Sequence, residues 1–290
     1  MRVVLLGTAA GGGVPQWNCA CGPCAAVRAG TLPARGQDCV AVSGNDRDWW
    51  LLNASPDIRT QLAGAARLAP GPGPRQSPVR GVLLTDGELD HTLGLLVLRE
   101  GSGLTVHAPE LVLRALTEDF AVRPMLDRYA SWTWRVAPPG TAVPLAGGLR
   151  ATAFPVGAKR PKYASTVDGD WVVAYRIEDP AGGGVLVYAP CLGGWPDGFD
   201  EVVADADCVL LDGTFHGAGE LGSTTGGPSG QAGMGHLPMT DSLPRLANHP
   251  GVRWVYTHLN NTNPALDPAS GERAGLGGAE ILPDGTEFVL

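Results

Sequence analysis

The sequence predicts an α/β protein, an αββα four-layer sandwich in which two sheets pack face to face with helices outside them. Strand-like and helical segments alternate in two similar halves, so we expect one domain over residues 1–290 with halves at approximately 1–140 and 141–290. Apolar strands also end repeatedly in acidic or metal-binding residues. These strand ends are the segment from Asp86 to His91, Asp212 and His258. Because site residues of sheet-based enzymes concentrate in loops at one sheet edge, we expect these strand ends to converge.

The first half contains six predicted strands, identified as short apolar or alternating runs bounded by glycine, proline or polar residues. They cover residues 3–6, 38–42, 48–52, 81–84, 104–107 and 131–136. A helix is predicted to begin at Ser55-Pro56-Asp57 and to run to Leu68, because serine caps a helix, proline fits its first turn and an acid favours its positive end. Residues 109–120 predict a second helix, and the proline- and glycine-rich residues 69–80 predict an exposed connector.

The second half repeats this pattern with four predicted strands. They cover residues 171–177, 185–189, 209–211 and 254–257. Residues 217–235 are rich in glycine, serine and threonine and have almost no apolar anchor, which predicts a mobile flap or a segment ordered by a ligand or partner. A further helix is predicted from Thr240 to His249.

Composition and charge restrict the classes of partner. The chain has 290 residues, 44% of them hydrophobic, and a net charge of −8, which argues against a nucleic-acid partner. No apolar run approaches the ~18 residues that cross a bilayer, so we expect no membrane partner. The apolar run at 3–6 ends too soon at Gly7 to be an export signal, which predicts a cytoplasmic protein.

Three cysteines lie at Cys-x-Cys-x-x-Cys spacing, at Cys19, Cys21 and Cys24. Three thiolates so spaced can converge on one tetrahedral ion, and Gly22-Pro23 suits the shape of a metal knuckle, so residues 19–24 predict a structural zinc site. The spacing is too tight for relaxed disulfides among all three, and a reducing compartment also disfavours disulfides. A redox Cys-x-x-Cys pair and unreactive thiols are the alternative interpretations.

A polar turn follows the strand at 81–84 and carries Asp86, Glu88, Asp90 and His91. Three carboxylates within five residues repel one another unless a cation lies among them or water separates them. The adjacent Asp90-His91 pair offers a hard oxygen and an imidazole nitrogen together, which favours a divalent metal site. A solvated acidic turn is the alternative interpretation.

The segment Asp90–Gly94 resembles the end of the metallo-β-lactamase superfamily motif His-x-His-x-Asp-His-x-x-Gly, whose two leading histidines are here Asp86 and Glu88. Nearly the whole chain is similar, more narrowly, to the pyrroloquinoline quinone biosynthesis protein B family. The segments that carry this resemblance are 7–19, 53–59, 84–86 with 90–92, 188–190, 211–215, 235–239 and 257–264. Two departures are Cys191, where glycine is expected after Tyr-Ala-Pro, and His216. The resemblance implies the metallo-β-lactamase fold.

The resemblance also implies a ligand set. Dinuclear zinc hydrolases of this fold build one metal pocket largely from the leading histidines and another from the Asp-His pair and a late histidine. All ligands of the second pocket are present in this sequence, as Asp90, His91 and His258. Two histidines and one carboxylate are the ligands of non-haem Fe(II) oxygenases. We therefore expect Fe(II) at this site, with zinc as the alternative metal in the purified protein. The family is implicated in dioxygen-dependent hydroxylation of the tyrosine-derived ring of a crosslinked glutamate-tyrosine intermediate, and we expect the same reaction here.

The same resemblance assigns candidate roles around the metal. His236 is the candidate acid or base of the reaction. Asp86 and Asp212 are candidates to exchange protons or to hydrogen-bond the ligating imidazoles. The candidates to hold substrate carboxylates are Arg59, Lys159 and Lys162. Arg59 suits a bidentate grip. Ordinary surface or core charge is the alternative interpretation for each.

Two other functions stay open. One is a zinc hydrolase in which Asp212 bridges two metals and Asp86 or Glu88 supplies oxygen ligands to the first pocket in place of the histidines. The other is a carrier that binds the finished quinone and aids its release. The expected partners are an amino-acid-derived small molecule or the quinone, other proteins of the same biosynthesis, and a second copy of the chain in a homodimer. The fourth ligand of the cysteine site is also open. A related phosphodiesterase family has a histidine at the position of Asn261, so the alternatives are an unusual ligand, water and His258.

Overall fold

The computed structural model of the protein describes residues 1–225 and 230–290. The strands in these residues are β1 (Arg2–Gly7), β2 (Cys39–Ser43), β3 (Trp49–Leu52), β4 (Val79–Leu83), β5 (Thr105–Ala108), β6 (Thr133–Val136), β7 (Ala142–Pro144), β8 (Arg150–Gly157), β9 (Val172–Glu178), β10 (Val185–Ala189), β11 (Cys208–Asp212), β12 (Arg253–Thr257) and β13 (Glu287–Val289). The helices are α1 (Gly22–Arg28), α2 (Ile58–Gly64), α3 (Leu89–Thr92), α4 (Gly94–Val97), α5 (Glu110–Glu118), α6 (Val122–Leu126), α7 (Phe199–Val203), α8 (Glu220–Thr225), α9 (Met239–Leu246) and α10 (Gly271–Ala274).

These strands form two mixed sheets. The described residues give one sheet of seven strands in the order β13-β1-β2-β3-β4-β5-β6 and another of six in the order β12-β11-β10-β9-β8-β7. β10, β11 and β12 are parallel, so their carboxyl ends lie at the same edge of the second sheet. β3, β4 and β5 are likewise parallel in the first sheet. The acidic turn follows β4, while Asp212 ends β11 and His258 follows β12.

Most of the strands are buried on both faces, as expected where helices cover the outer side of each sheet, whereas β6, β7 and β13 are largely exposed. In β1, Val3 and Leu5 belong to one apolar cluster, whereas Val4 and Leu6 belong to a second cluster that also contains helix residues such as Val112. Successive strand residues point to opposite faces, so this alternation places one sheet against the other and each against helices. The prediction of an αββα sandwich is confirmed.

The chain moves from the first sheet to the second near residue 140, after β6, and returns at its carboxyl end. There β13 pairs with β1 through partners such as Val3 and Phe288. The assignment of one domain with halves at approximately 1–140 and 141–290 stays a prediction. The return of β13 to the first sheet is a long-range pairing that the prediction did not include.

The helix predicted from residue 55 is shorter than expected. Ser55 Oγ accepts the amide N–H of Asp57 at 3.2 Å in the turn before the helix, and α2 begins at Ile58. Ala65 has an extended backbone, so the helix ends at Gly64 and is followed by a separate 3-10 turn at Ala66–Leu68. Two short elements therefore replace one helix.

The flap predicted over residues 217–235 lies partly outside the described residues, because it includes 226–229. On either side of this gap are α8 and a 3-10 helix at Gly230–Met234. The flap therefore stays a prediction. Within the ranges that are described, no helix combines the length and the apolar character needed to cross a membrane.

Candidate metal centre

The polar turn after β4 holds His91 in one orientation. Asp86 accepts hydrogen bonds from His91 Nδ1 at 2.8 Å, from Thr85 Oγ1 at 2.7 Å and from the amide of Glu88 at 2.9 Å. Asp86 and His91 are both buried. Because an ionised carboxylate only accepts, His91 Nδ1 carries a hydrogen, and Nε2 is the ring nitrogen left for a ligand. Asp86 therefore fixes the orientation of the His91 ring, as carboxylates do beside histidines that bind metals.

The other nitrogen of this ring, His91 Nε2, is buried and has no hydrogen-bond partner in the described part of the chain. Asp90 Oδ2 lies 3.8 Å away, beyond hydrogen-bond distance. Burial disfavours a charge on the ring, but the carboxylates of Asp86 and Asp90 outweigh it and raise the pKa of His91 to about 10. The surroundings thus favour positive charge at Nε2, which a metal ion supplies as well as a proton does.

His258 approaches the same point from the second sheet. It follows β12 with a φ of 55°, a left-handed conformation that is uncommon for a residue with a side chain. Thr214 Oγ1 donates to Asp212 at 2.7 Å and lies 2.8 Å from His258 Nδ1, so Nδ1 is the donor to this hydroxyl. His258 Nε2 then lies 3.3 Å from Asp90 Oδ2. Two acceptors at this distance are favourable only with a proton or cation close to both.

Asp90, His91 and His258 therefore converge, as the sequence predicted. Asp90 Oδ2 lies 3.3 Å and 3.8 Å from the Nε2 atoms of the two rings, and the ring centroids are 5.1 Å apart. Ligand atoms about 2.0–2.2 Å from one ion lie up to roughly 4.2 Å from each other. Both separations from Asp90 Oδ2 lie within this limit.

A second carboxylate-imidazole pair lies beside these donors. Asp212 accepts from His236 Nδ1 and from the amide of Leu192, each at 2.8 Å, and from the amide of Thr214 at 3.0 Å. The His236 ring stacks on that of His258 at 5.3 Å and lines the same cleft. Burial alone would lower the pKa of His236, but the Asp212 carboxylate raises it. His236 thus lies at the cleft with Nδ1 committed to Asp212.

The positions of the two leading motif histidines offer no free carboxylate. Both oxygens of Asp86 accept hydrogen bonds from the turn and from His91. Glu88 forms an ion pair with Lys159 Nζ at 2.8 Å. A second ion at this end of the cleft would have to displace these partners.

Known proteins are similar to this chain in sequence and in fold. The family described as "Beta-lactamase superfamily domain" matches residues 48–259. Coenzyme PQQ synthesis protein B (PqqB) of Pseudomonas savastanoi pv. phaseolicola is 40% identical in an alignment 304 residues long that covers all of both chains. The chain belongs to the PqqB family. The crystal structure of Zn²⁺-bound PqqB from Methylobacterium extorquens is 35% identical, with full coverage of both chains and a TM-score of 0.91. A diphosphatase of the PhnP family, 18% identical with a TM-score of 0.71 over 100% of this chain and 97% of its own, shares the fold.

The cysteine segment of this PqqB-family chain also forms a compact group. The Sγ atoms of Cys19, Cys21 and Cys24 lie within 4.8 Å of one another, and none of these cysteines is in a disulfide. Asn261 Nδ2 lies 3.4 Å from the sulfurs of both Cys21 and Cys24. His258 is occupied with Thr214 and Asp90 instead. Asn261, and not His258, is therefore the side chain beside the sulfurs.

The three residues predicted to hold substrate carboxylates lie in different places. Lys159 lines the metal cleft, with Glu88 as its partner. Lys162 is exposed. Arg59 is exposed and lines a separate cavity with Arg99, so the structure does not place it at the metal cleft. The reason is that α2 packs through the buried Ile58, which turns the neighbouring Arg59 outward.

Cys191 and Thr214 are among the residues that line the cleft without a role in the sequence predictions. From the sequence, Cys191 is only a departure from the glycine expected after Tyr-Ala-Pro. Cys191 follows β10 and Thr214 follows β11, and these strands run parallel to β12 in the same sheet, so the strand-end reasoning applied to Asp212 and His258 could have included them. Burial raises the pKa of the Cys191 thiol well above its usual value, and the carboxylates of Asp86 and Asp212 add to this effect.

Proposed function

We propose that this protein acts in the biosynthesis of coenzyme PQQ, as an Fe(II)- and O₂-dependent hydroxylase of the tyrosine-derived ring of a crosslinked glutamate-tyrosine intermediate. The proposal is carried by the convergence of His91 Nε2, His258 Nε2 and Asp90 Oδ2. Two imidazoles and one carboxylate are the donors of non-haem Fe(II) oxygenases, which leave positions for dioxygen and substrate. The names of the full-length relatives support the pathway.

In this proposal the protein's own groups hold and orient the donors. Asp86 fixes the ring of His91, and Thr214 fixes the ring of His258. Both contacts involve Nδ1, which leaves Nε2 of each ring for the ion. When bound, Fe(II) supplies the one-electron chemistry with dioxygen that amino-acid side chains lack.

His236 is the residue that we propose to move a proton. Its Nδ1 is held by Asp212, so Nε2 is the nitrogen left to exchange a proton with a substrate in the cleft. The Asp212 carboxylate raises the pKa of His236, which increases the fraction of the ring that carries a proton near neutral pH. His236 would therefore donate this proton to a substrate oxygen and recover it later in the cycle.

Lys159 is the residue that we propose to bind a substrate carboxylate. It lies on the cleft and its ion pair with Glu88 is partly exposed, with side-chain accessibilities of 29% and 33%. Exposed ion pairs of this kind contribute little free energy, about 0–1 kcal/mol, so a substrate carboxylate can replace Glu88 at low cost. Arg59 and Lys162 are left out of this binding proposal because of their positions.

The cysteine group is proposed to bind structural zinc. Three sulfurs within 4.8 Å of one another supply three of the four tetrahedral ligands. The side-chain amide of Asn261 would supply the fourth through its oxygen, since the oxygen and nitrogen of an amide occupy nearly equivalent positions. Asn261 follows His258 by three residues, so zinc here would also anchor the segment that carries a metal-centre ligand.

Metal analysis and oxygen consumption test the function. Protein purified without oxygen should contain one zinc in the knuckle and bind one iron in the cleft, and it should consume oxygen when the crosslinked intermediate is added. His258→Ala should lose the iron and the turnover but keep the zinc and the fold. His249→Ala is the matched control, because His249 pairs with Asp200 outside the cleft and should change neither metal.

Other results would favour the two other functions. Two zinc ions in the cleft, with hydrolysis of a phosphate ester or a lactam, would replace the hydroxylase by a hydrolase. Tight binding of the finished quinone without oxygen consumption would replace it by a carrier. Both oxygens of Asp86 already accept hydrogen bonds, which disfavours a second ion at the positions of the two leading motif histidines.

We infer from the same proposal a small-molecule substrate, contact with other proteins of PQQ biosynthesis and a cytoplasmic location. The net charge of −8 is consistent with a partner other than nucleic acid. A homodimer stays a prediction.

A further inference from the structure

Cys191 lies at the metal centre. It follows β10 by two residues, is 7% exposed and lines the cleft together with His91 and His258. Its Sγ atom lies within 4.8 Å of one ring nitrogen of each histidine, and those nitrogens lie within the same distance of each other. The thiol and the two imidazoles therefore form a buried group of three possible ligand atoms.

The backbone holds Cys191 in this position. The next residue, Leu192, donates its amide N–H to Asp212 Oδ2 at 2.8 Å and accepts the amide N–H of Leu237 at 2.6 Å. Pro190, on the other side, has a fixed φ. Both neighbours of the cysteine are thus restrained, so its closeness to the imidazoles is built into the strand end.

A second observation points to a ligand at this group. His91 Nε2 is fully buried and has no hydrogen-bond partner among the residues that are described. Leaving a buried polar atom without a partner is unfavourable. A cation bound jointly by this nitrogen and by a thiolate gives it a partner.

We propose that Cys191 is a further ligand of the ion, which is then held by Asp90, His91, His258 and the Cys191 thiolate. The inference rests on the proposed function, in which the first three residues bind the ion. The thiol releases its proton to solvent as the metal binds. Thiolate and imidazole ligands favour Fe²⁺, Co²⁺ and Zn²⁺ over Mg²⁺ and Mn²⁺, so the sulfur narrows the class of ion.

A fourth protein ligand changes what each ion leaves open. One thiolate and one carboxylate neutralise a divalent ion, and four protein donors complete the tetrahedral shell that Zn²⁺ prefers. An ion that accepts five or six ligands, as Fe(II) does in oxygenases, still keeps positions for small molecules. With Cys191 as a ligand, Zn²⁺ would have no position left for substrate or dioxygen, whereas Fe(II) would still have one or two.

Cobalt(II) provides a direct test, because a thiolate bound to Co²⁺ gives a charge-transfer band in the near ultraviolet. The full-length protein is first loaded with one equivalent of Zn²⁺ to fill the cysteine knuckle and is then titrated with Co²⁺, with the metal content measured at each step. Wild type is compared with Cys191→Ser and Cys191→Gly. Cys208→Ser is the matched control, since Cys208 is buried at the start of β11 and does not line the cleft.

We expect wild type and Cys208→Ser to gain the band as Co²⁺ binds, and the two Cys191 variants to bind Co²⁺ roughly 10- to 100-fold more weakly and without the band. A full band in the Cys191 variants would overturn the inference. So would Co²⁺ binding to the wild-type cleft without a band, and this result needs no variant to fold. Failure of the proposed function gives a different result, in which no Co²⁺ binds beyond the knuckle.

Discussion

His258 Nε2 lies 3.3 Å from Asp90 Oδ2, although the two residues are separated by 168 positions in the chain. Asp90 lies in α3, after a strand of the first sheet, and His258 follows β12 of the second sheet. The contact therefore joins the two sheets at the edge where their site-bearing strands end. A cation between these atoms would link the two sheets as well as serve the proposed reaction.

Asp86 should act as a positioning residue for His91. Asp86→Asn removes the charge that orients the ring and should weaken binding of iron or cobalt in the cleft by roughly 10- to 100-fold. Glu88→Gln is the matched control, because Glu88 pairs with Lys159 and not with an imidazole. Competition with a metal-binding dye measures both affinities. Equal losses in the two variants would make Glu88 a ligand and contradict the assignment.

Lys159 should affect substrate binding without affecting the metal. Lys159→Gln removes the positive charge at the cleft and should raise KM several-fold, with little change in kcat or iron content. Arg59→Gln is the control, since Arg59 lines a separate cavity, and its KM should equal that of wild type. Steady-state oxygen consumption measures both parameters. A raised KM in Arg59→Gln alone would return the carboxylate-binding role to Arg59.

Asn261 should contribute to zinc retention by the knuckle. Asn261→Ala removes the side chain beside Cys21 and Cys24 and should speed the transfer of zinc to a chelator. Asn248→Ala, at an exposed position after α9, should release zinc at the wild-type rate. Zinc transfer followed by absorbance measures the two rates. If Asn261→Ala also retains zinc at the wild-type rate, water is the better candidate for the fourth ligand.

Asp38 should make the stability of the fold depend on pH. It is buried between the sheets and accepts from Tyr188 Oη and Thr257 Oγ1, each at 3.1 Å. Burial raises the pKa of Asp38 from 3.8 to about 6. The folded chain thus binds this proton more tightly than the unfolded chain, so the stabilisation is full below the unfolded pKa and is lost as pH rises through about 6.

Asp38→Asn cannot ionise, so its stability relative to wild type should increase by up to ~3 kcal/mol between about pH 4 and about pH 7. Urea unfolding of both proteins across this range measures the difference. A difference that stays constant with pH would show that Asp38 has the same pKa in the folded and unfolded chains.

The core between the sheets should be sensitive to loss of volume. Leu5 is fully buried there, so Leu5→Ala should lower the free energy of unfolding by about 2–5 kcal/mol. Met125→Ala, at a side chain that is 43% exposed, should cost less than about 1 kcal/mol. Urea unfolding measures both values, and equal losses would contradict the placement of Leu5 in the core.

Local sequence was sufficient to predict several elements of the site. Each of these elements is a short pattern that a few adjacent residues define, and such a pattern is visible in the sequence. They are the acidic turn, the strand ends at Asp212 and His258, and the cysteine spacing. Arg59 shows where such reasoning stops. Its proximity in sequence to a predicted helix start did not reveal that Ile58 packs inward and turns Arg59 away from the cleft.

The sequence by itself determined the αββα fold class, the family resemblance and the identity of the three converging residues. Only the tertiary structure decided which oxygens of Asp86, Glu88 and Asp212 already have partners, that Asn261 lies beside the cysteines, and that Cys191 lies at the metal centre. The physical reason is that a strand or helix is specified by residues a few positions apart. Hydrogen-bond partners and metal ligands instead depend on distances between segments that the chain brings together from far apart in sequence.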